Sequence, residues 1–148
     1  MKKFKFSLQR ILEYFDHIVQ KEKEALAILR SELIDLENEE NRLKNKLMLS
    51  KTEFSKSSLE GITACEAKVY LSYIQDLRHL LEEQAIKIEQ KNAEIEAQTE
   101  KLKKAMLEKA KTEKLRESKL REYNEKQIKA DELFIEELLS FKNIATKA

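Results

Sequence analysis

The chain has 148 residues, a net charge of +1, one glycine, and neither proline nor tryptophan. Strand-rich folds need turns, and turns need glycine and proline, so this composition excludes them. With no basic excess there is no overall charge to hold nucleic acid or an anionic membrane. Charged residues make up 39% and hydrophobic residues 41%, mostly good helix formers, which is typical of a coiled coil.

Signal peptides, transmembrane segments and disulfides are the sequence features that indicate where a protein is located. The basic N-terminus leads into no apolar segment, so we expect no signal peptide. The apolar stretches fall far short of the roughly 20 residues of a transmembrane helix, so we expect no membrane insertion. Cys65, the only cysteine, cannot form an internal disulfide. Together these features predict a cytoplasmic protein.

A heptad-like stripe predicts helix 1 over about residues 5–57, with Ser7 as a candidate N-cap. The stripe comprises Leu8, Ile11, Phe15, Ile18, Glu22, Ala25, Leu29, Leu33, Leu36, Glu40, Leu43, Leu47, Ser50 and Phe54. Its steps alternate between three and four, except for two consecutive steps of four from Ala25 to Leu33. That exception predicts a stutter, which would locally unwind a left-handed supercoil.

A turn is predicted over about residues 58–63, where the stripe stops and the only glycine, Gly61, occurs. Glycine is favoured at a helix C-terminus that needs a positive φ. Thr63 and Glu66 fit a capping box for the next helix. A short loop between two long helices makes them antiparallel neighbours.

Helix 2 is predicted over about residues 64–141. Its stripe runs through Tyr70, Ile74, Leu77, Leu81, Gln84, Ile88, Lys91, Ile95, Gln98, Leu102 and Ala105, and apolar positions return later, up to Phe141. Pairing outward from Gly61 places residue i near residue 122 − i and leaves the last 25 or so residues as an overhang. Because the overhang's apolar face has no partner in the hairpin, we expect it to be helical only when bound.

The fold class is therefore all-α: two long helices in an antiparallel coiled-coil hairpin with a C-terminal helical overhang, forming a single domain over residues 1–148. The predicted seam contains several polar residues. They are Glu22, Glu40, Ser50, Gln84, Lys91 and Gln98. Polar seam positions fix register at a cost in stability and leave room for a partner.

Charge is distributed unevenly along the two helices. Residues 22–40 hold seven acids and two bases, net −5, and residues 82–100 hold six acids and two bases, net −4. Residues 101–129 hold eleven bases and five acids, net +6, and residues 1–21 hold five bases and two acids, net +3. The end bearing the termini is thus basic. It could dock an acidic partner, or it could be an ordinary solvated surface.

Apolar and aromatic residues exceed what a two-stranded seam can bury in one segment of helix 2. They are Tyr70, Tyr73, Ile74, Leu77, Leu80 and Leu81. The surplus could form a binding surface, or Leu47, Leu49 and Phe54 of helix 1 could cover it. Phe4 and Phe6 cannot both enter the seam either, so we expect them to pack on the overhang or on a partner.

Catalysis has little basis in this sequence, and we expect no enzyme, no cofactor and no metal site. His17 and His79 lie far apart on any hairpin, and neither belongs to a zinc-binding motif. There is no glycine-rich phosphate loop. Carboxylates are abundant but have no pocket that would shift their pKa values. Cys65 is expected to be a small packing residue.

The order of several short patterns resembles the FliJ family, coiled-coil components of the bacterial flagellar type III export apparatus. The patterns are Phe4-x-Phe6-x-Leu8-Gln9-x-Ile11-Leu12, then Glu22 to Leu29, a polar break, Tyr70-x-x-Tyr73-Ile74-x-x-Leu77, and a basic run ending Tyr123-x-x-x-Gln127-x-x-x-Asp131-Glu132. The resemblance spans nearly the whole chain. It implies a fold similar to the central stalk of rotary ATP synthases.

The resemblance also implies partners. The end bearing the termini would enter the hexameric flagellar export ATPase and promote ring assembly. The residues implied on that side are Leu8, Ile11, Phe15, Lys114, Arg116, Lys119 and Arg121. A second surface would meet the export gate membrane protein, and the residues implied there are Tyr70, Tyr73, Ile74, Leu77, Leu80 and Gln84. Export-substrate chaperones are a further implied partner, and the implied location is the cytoplasmic face of the inner membrane.

Other functions stay open on the sequence. A homologous stalk of a virulence-type secretion system has the same features. A purely structural scaffold would keep unbroken heptads and self-associate, whereas a stalk should be monomeric and need another protein. A chaperone that protects unfolded clients is a third possibility.

Overall fold

The computed structural model describes residues 3–147, which form two long helices: α1, Gln9–Glu60, and α2, Ala64–Lys147. The helices pack against each other as an all-α hairpin, and the described residues contain no strand. The fold class expected from the sequence is therefore confirmed. Contacts group into two units, one of residues up to Gln20 with those from Lys103 onward, the other Lys21–Leu102. The single domain stays a prediction.

α1 differs from its predicted bounds at both ends, since it also ends at Glu60 and leaves residues 61–63 as the loop, whereas α2 differs at its end only. α1 begins at Gln9, because the first helical hydrogen bond runs from the Leu12 N–H to the Leu8 carbonyl at 2.9 Å. Leu8, rather than Ser7, is thus the residue that precedes the helix. At its other end α2 continues to Lys147, six residues past the predicted end. The expectation that this part is helical only when bound was therefore wrong.

The loop between the helices has the chemistry that its sequence predicts. Gly61 follows the last residue of α1 and has a φ of +91°, in the region that favours glycine. The Thr63 hydroxyl accepts a hydrogen bond from the Glu66 backbone N–H at 3.2 Å. Thr63 therefore caps α2, and Glu66 supplies an acidic residue in its first turn.

The seam face of α1 differs from the predicted stripe at three positions. Val19 and Leu26 are 2% and 6% exposed, while their neighbours Ile18 and Ala25 are only half-buried. Leu12 is likewise half-buried, whereas Ile11 is 43% exposed. When Leu12, Val19 and Leu26 take the places of Ile11, Ile18 and Ala25 in the stripe, the spacing between successive seam residues alternates regularly between four and three, as a left-handed coiled coil requires. The stutter predicted between Ala25 and Leu33 was therefore wrong.

Polar residues occupy the seam of the Lys21–Leu102 unit, as the sequence predicts. Gln84 is 5% exposed, and its Nε2 donates to the Leu36 carbonyl at 2.9 Å. The Nε2 of Gln98 donates to the Glu22 carbonyl at 3.1 Å and also to the Glu22 carboxylate. The predicted pairing rule puts Gln84 opposite Asn38 and Gln98 opposite Glu24. The register is therefore correct to within two residues.

Apolar layers separate these polar positions in the same unit. Leu43, Ile74 and Leu77 are buried, and the rings of Phe54 and Tyr70 lie 5.6 Å apart near the loop. The buried side-chain nitrogen and oxygen atoms of the described chain all have a hydrogen-bond partner. The seam thus tolerates polar residues because each one is paired.

In the other unit, small residues are buried between the helices and an ion pair joins them. Val19, Ala105 and Thr112 are buried, and the Nζ of Lys109 lies 2.8 Å from an oxygen of Asp16. Ahead of α1, the Phe4 ring lies 5.6 Å from that of Tyr123. Phe4 therefore packs on α2 at the start of the last 25 or so residues, where one of its two expected sites lay.

Beyond Ala130 every α2 side chain described up to Thr146 is exposed. From here on, the name overhang is used for these exposed residues, 131–146, instead of the last 25 or so residues. Its large apolar side chains are more than half exposed: Leu133, Phe134, Ile135, Leu138, Leu139, Phe141 and Ile144. The part of the chain that the structure describes therefore leaves this apolar face uncovered.

Candidate partner-binding surfaces

The residues predicted for the ATPase side lie in the unit that carries the chain's first described residues, and we call them the terminal surface: Leu8, Ile11, Phe15, Lys114, Arg116, Lys119 and Arg121. Leu8 and Phe15 are half-buried because both lie on the seam face of α1. Ile11 is exposed beside that face. The predicted set thus divides into residues that hold the helices together and residues open to a partner.

The basic members of the terminal surface divide in the same way. Lys114, Lys119 and Arg121 are exposed, and Lys119 Nζ lies 3.5 Å from an oxygen of Glu122. Arg116 is half-buried, and its guanidinium carbon lies 5.8 Å from the centroid of the Phe4 ring. This distance fits a cation–π contact, so Arg116 holds the extended N-terminal segment on α2.

A cleft lies between that extended segment and α2, with a volume of about 920 Å³. Phe4, Phe6 and Tyr123 supply its apolar side chains. Four lysines surround them, namely Lys3, Lys5, Lys119 and Lys126, with Glu122 as the acidic residue of the lining. Helical periodicity does not indicate this cleft, although the alternation of lysine and phenylalanine from Lys3 to Phe6 is a signal that could have revealed it.

Ion pairs across the helices fix the charges in place. The Asp16 carboxylate accepts a hydrogen bond from Lys109 and raises the pKa of that lysine above its ordinary value. In the other unit, Lys91 donates to Glu32 at 2.7 Å and to Glu94 at 3.1 Å, and these bonds raise the pKa of Lys91. Lys91 thus bridges the two acidic segments, offsetting part of the repulsion that their sequence implies.

Two of the six residues predicted for the gate side are exposed, and we call them the gate-side pair: Tyr73 and Leu80, 47% and 46% exposed. Leu77 and Gln84 are buried in the seam, as is Ile74. Tyr70 is half-buried, and its hydroxyl lies 3.3 Å from that of Ser57. A protein docking on the closed hairpin would therefore meet Tyr73 and Leu80, whereas the other four residues face α1.

Both alternatives for the surplus apolar residues thus hold in part. The Phe54 ring packs on that of Tyr70, whereas Leu49, Tyr73 and Leu80 are all exposed. Tyr73 lies in a shallow groove along α2 with Cys65, Val69 and Asp76.

On α1, Arg42 pairs with Glu39, which raises the pKa of Arg42 and lowers that of Glu39.

The residues considered for chemistry lie apart in the structure. His17 and His79 belong to different units, and His79 lies 3.7 Å from Glu82. Cys65 is exposed, so the packing role expected for it was wrong. Within residues 3–147 no three histidine, cysteine or acidic side chains converge as metal ligands do. Nor does any helix in that range combine the length and apolarity needed to cross a bilayer.

Paired antiparallel helices, a polar seam and exposed apolar and basic surfaces define a coiled-coil hairpin protein. The family model described as the flagellar FliJ protein matches residues 4–145. The chain therefore belongs to the flagellar FliJ protein family, as the resemblance indicated. It is accordingly a coiled-coil component of flagellar or type III protein export.

Among solved structures, the chain is similar to CT670 from Chlamydia trachomatis, described as a candidate YscO homolog. The TM-score is 0.63 and the sequence identity is 19%, and the match covers 98% of each chain. At this identity the likeness shows a shared fold. None of the curated protein sequences matches the chain.

Proposed function

We propose that this protein is a non-enzymatic, stalk-like component of the flagellar export apparatus that binds the hexameric export ATPase and promotes its ring assembly. One observation carries the proposal: the terminal surface combines the exposed Ile11 with the exposed cations Lys114, Lys119 and Arg121. Specific interfaces commonly combine apolar contacts with polar and charged residues at their rim. Membership in the FliJ family supports it.

Charge supports an acidic partner for the terminal surface. The segments that form it, 1–21 and 101–129, carry net charges of +3 and +6, although the whole chain carries only +1. Such local excess steers an acidic surface into place and makes the association rate depend on salt. Acidic residues lining the pore of an ATPase ring would suit it.

The gate-side pair is the proposed contact for the export gate membrane protein. Tyr73 and Leu80 are each nearly half exposed, they lie on one side of α2 two turns apart, and tyrosine is enriched in interface hot spots. The other four residues predicted for this surface would support the pair from the seam. The protein would then work at the cytoplasmic face of the inner membrane, with export-substrate chaperones as a further partner and no cofactor.

The homologous stalk of a virulence-type secretion system is a second candidate. The fold shared with a candidate YscO homolog favours it, since helical hairpins of this kind serve more than one system. Replacing the flagellar ATPase by its injectisome counterpart in the experiment below separates the two. A scaffold would bind neither ATPase.

The test is to mix the purified protein with the flagellar export ATPase of the same organism and to follow ATP hydrolysis and ring assembly together. We expect stimulated hydrolysis and more hexamer. Ile11→Asp should abolish both effects, because it puts a charge in the apolar contact. Ile28→Asp is the matched control, since Ile28 is also an exposed isoleucine of α1 but belongs to the other unit.

Two results would contradict the ATPase proposal. One is a helical, monomeric protein that neither binds nor stimulates the ATPase. The other is equal loss of stimulation in Ile11→Asp and Ile28→Asp, which would mean that the terminal surface has no special part.

Gate binding needs its own test, with the immobilised cytoplasmic domain of the gate protein. Leu80→Ser should weaken capture of the hairpin about tenfold, because it removes most of the apolar area that a leucine buries on binding. Leu71→Ser is the control, because Leu71 is exposed on a different face of α2. Equal binding by both variants would remove the gate-side pair from the proposal.

A further inference from the structure

The overhang continues the seam face of α2 without a partner helix. Successive residues of an α-helix are about 100° apart, so Ala130, Phe134, Leu138, Phe141 and Ala145 lie within one narrow sector. Up to Ala130 this sector is half-buried, and from Asp131 onward the described side chains are exposed. An antiparallel helix covers the same face elsewhere in the chain. The natural occupant of the overhang is therefore another antiparallel helix.

From its spacing and its charges, we infer that the overhang pairs with the overhang of a second copy of this chain, antiparallel, about a twofold axis near residue 136. The apolar residues of this sector lie at nearly equal distances in sequence before and after residue 136. Phe134 of one copy would lie beside Leu138 of the other, and Ala130 beside Phe141. The same patch then serves both copies, as a twofold interface requires. Because a weak dimer is mostly monomeric at low concentration, this inference neither rests on the proposed function nor conflicts with a stalk that binds the ATPase as a monomer.

Charged residues at the edges of the stripe support this occupant. Asp131 and Lys142 lie on the same edge, and in an antiparallel pair each edge meets the same edge of the partner. At the register set by the apolar residues, Asp131 of each copy faces Lys142 of the other, so the ion pair forms twice. Glu137 lies on the opposite edge close to the axis, where two copies of it would repel each other.

The size of the interface predicts a weak dimer. Residues 130–145 span about 24 Å of helix at 1.5 Å per residue, and the area that two such segments bury is at the small end for specific interfaces. Sedimentation of the full chain from about 1 to about 300 µM should therefore show a reversible monomer–dimer equilibrium. Phe134→Ser should abolish the dimer, while the helical content of the chain stays unchanged because Phe134 is exposed in the monomer.

A charge swap tests the register. Asp131→Lys places like charges opposite Lys142, and Lys142→Asp places like charges opposite Asp131, so each variant alone should dimerise about tenfold more weakly. An equimolar mixture of the two should associate as well as the wild type, because both ion pairs then form between the two variants, one as in the wild type and one in reversed polarity. Glu136→Lys, on the opposite face of the helix, is the matched control and should leave the dimer intact. Glu137→Gln should strengthen it.

Three results would overturn the inference. The first is a monomer at every concentration, including one whose overhang gains protection only from the export ATPase, since the ring would then be the occupant. The second is a dimer that persists in Phe134→Ser, which would place the contact elsewhere. The third is a mixture of the two charge variants that associates no better than either alone.

Discussion

The part of α2 that belongs to the Lys21–Leu102 unit and the overhang differ in the residues that their seam face carries. In the Lys21–Leu102 unit, α1 covers that face, yet it carries Gln84, Lys91 and Gln98. In the overhang no described residue covers it, yet it carries Phe134, Leu138 and Phe141. A chain built only for the stability of its hairpin would have the reverse arrangement, because burial of apolar area is the main stabilising term.

This difference separates what holds the hairpin from what is offered to partners. Polar seam residues that are fully paired fix the register at some cost in stability. Large apolar residues left in water gain nothing until another molecule covers them. The seam thus specifies structure, and the overhang and terminal surface are the parts from which binding is expected.

The largest effect is expected from a seam leucine compared with an exposed one three residues away. Leu77→Ala should lower the free energy of unfolding by about 2–4 kcal/mol, because Leu77 is 3% exposed and its loss leaves a cavity. Leu80→Ala, at 46% exposure, should change it by less than about 0.5 kcal/mol. Urea unfolding followed by circular dichroism measures both, and equal losses would mean that the two leucines are not on different faces.

A smaller effect of opposite sign is expected at a polar seam position. Gln84→Leu should raise the free energy of unfolding by about 1 kcal/mol, because the Leu36 carbonyl keeps its helical hydrogen bond and leucine gains apolar burial. Thermal unfolding measures the change, with Gln75→Leu on the exposed surface as the control. A destabilised Gln84→Leu would show that the amide contributes stability as well as register.

The N-terminal segment should respond locally. Arg116→Ala removes the cation above the Phe4 ring, which is worth about 0.5–1 kcal/mol at an exposed site. Cleavage by protease between Lys3 and Leu8 should become several times faster, while the melting temperature of the hairpin stays nearly constant. The exposed Lys114→Ala serves as the comparison, and equal cleavage rates in the two variants would contradict the contact.

The smallest effect is expected from alkaline pH. Lys109 and Lys91 have pKa values raised by their carboxylate partners, so their contribution is fully present below the ordinary lysine pKa and is lost as pH rises through the folded value. Melting temperatures should therefore be flat from neutral pH to about 9 and fall above about 10. Lys109→Met should have a shallower alkaline decline than the wild type, and an unchanged slope would show that Lys109 contributes nothing to it.

Local chemistry explains which parts of the fold the sequence could predict. Gly61, Thr63 and Glu66 act on their own neighbours in the chain, so the loop could be placed from them alone. Once the loop is placed, the equal rise per residue of the two helices fixes which residue of α1 lies opposite each residue of α2, even far from the loop. That is why the pairing of Gln98 with Glu22 was predicted to within two residues.

The errors have an equally physical source. Ile11 and Leu12, Ile18 and Val19, and Ala25 and Leu26 are adjacent apolar pairs, and either member can continue a stripe. Only the packing decides between faces 100° apart, and it selects the second member each time. The same ambiguity mixed seam and surface residues in the predicted gate contact.

The cleft beside Phe4 could not be predicted from helical periodicity, for a different reason. The segment before α1 has no helical period, so its contacts depend on tertiary packing against Arg116 and Tyr123. Sequence alone could only say that Phe4 and Phe6 must pack somewhere outside the seam.

Hydrogen exchange of the whole chain, alone and with the flagellar export ATPase, tests most directly whether binding occurs at the uncovered surfaces rather than along the seam. We expect the ATPase to slow exchange over residues 3–16 and 110–123, where the terminal surface lies, and to leave residues 30–90 unchanged. Protection confined to residues 30–90, or no protection at ATPase concentrations that stimulate hydrolysis, would contradict it.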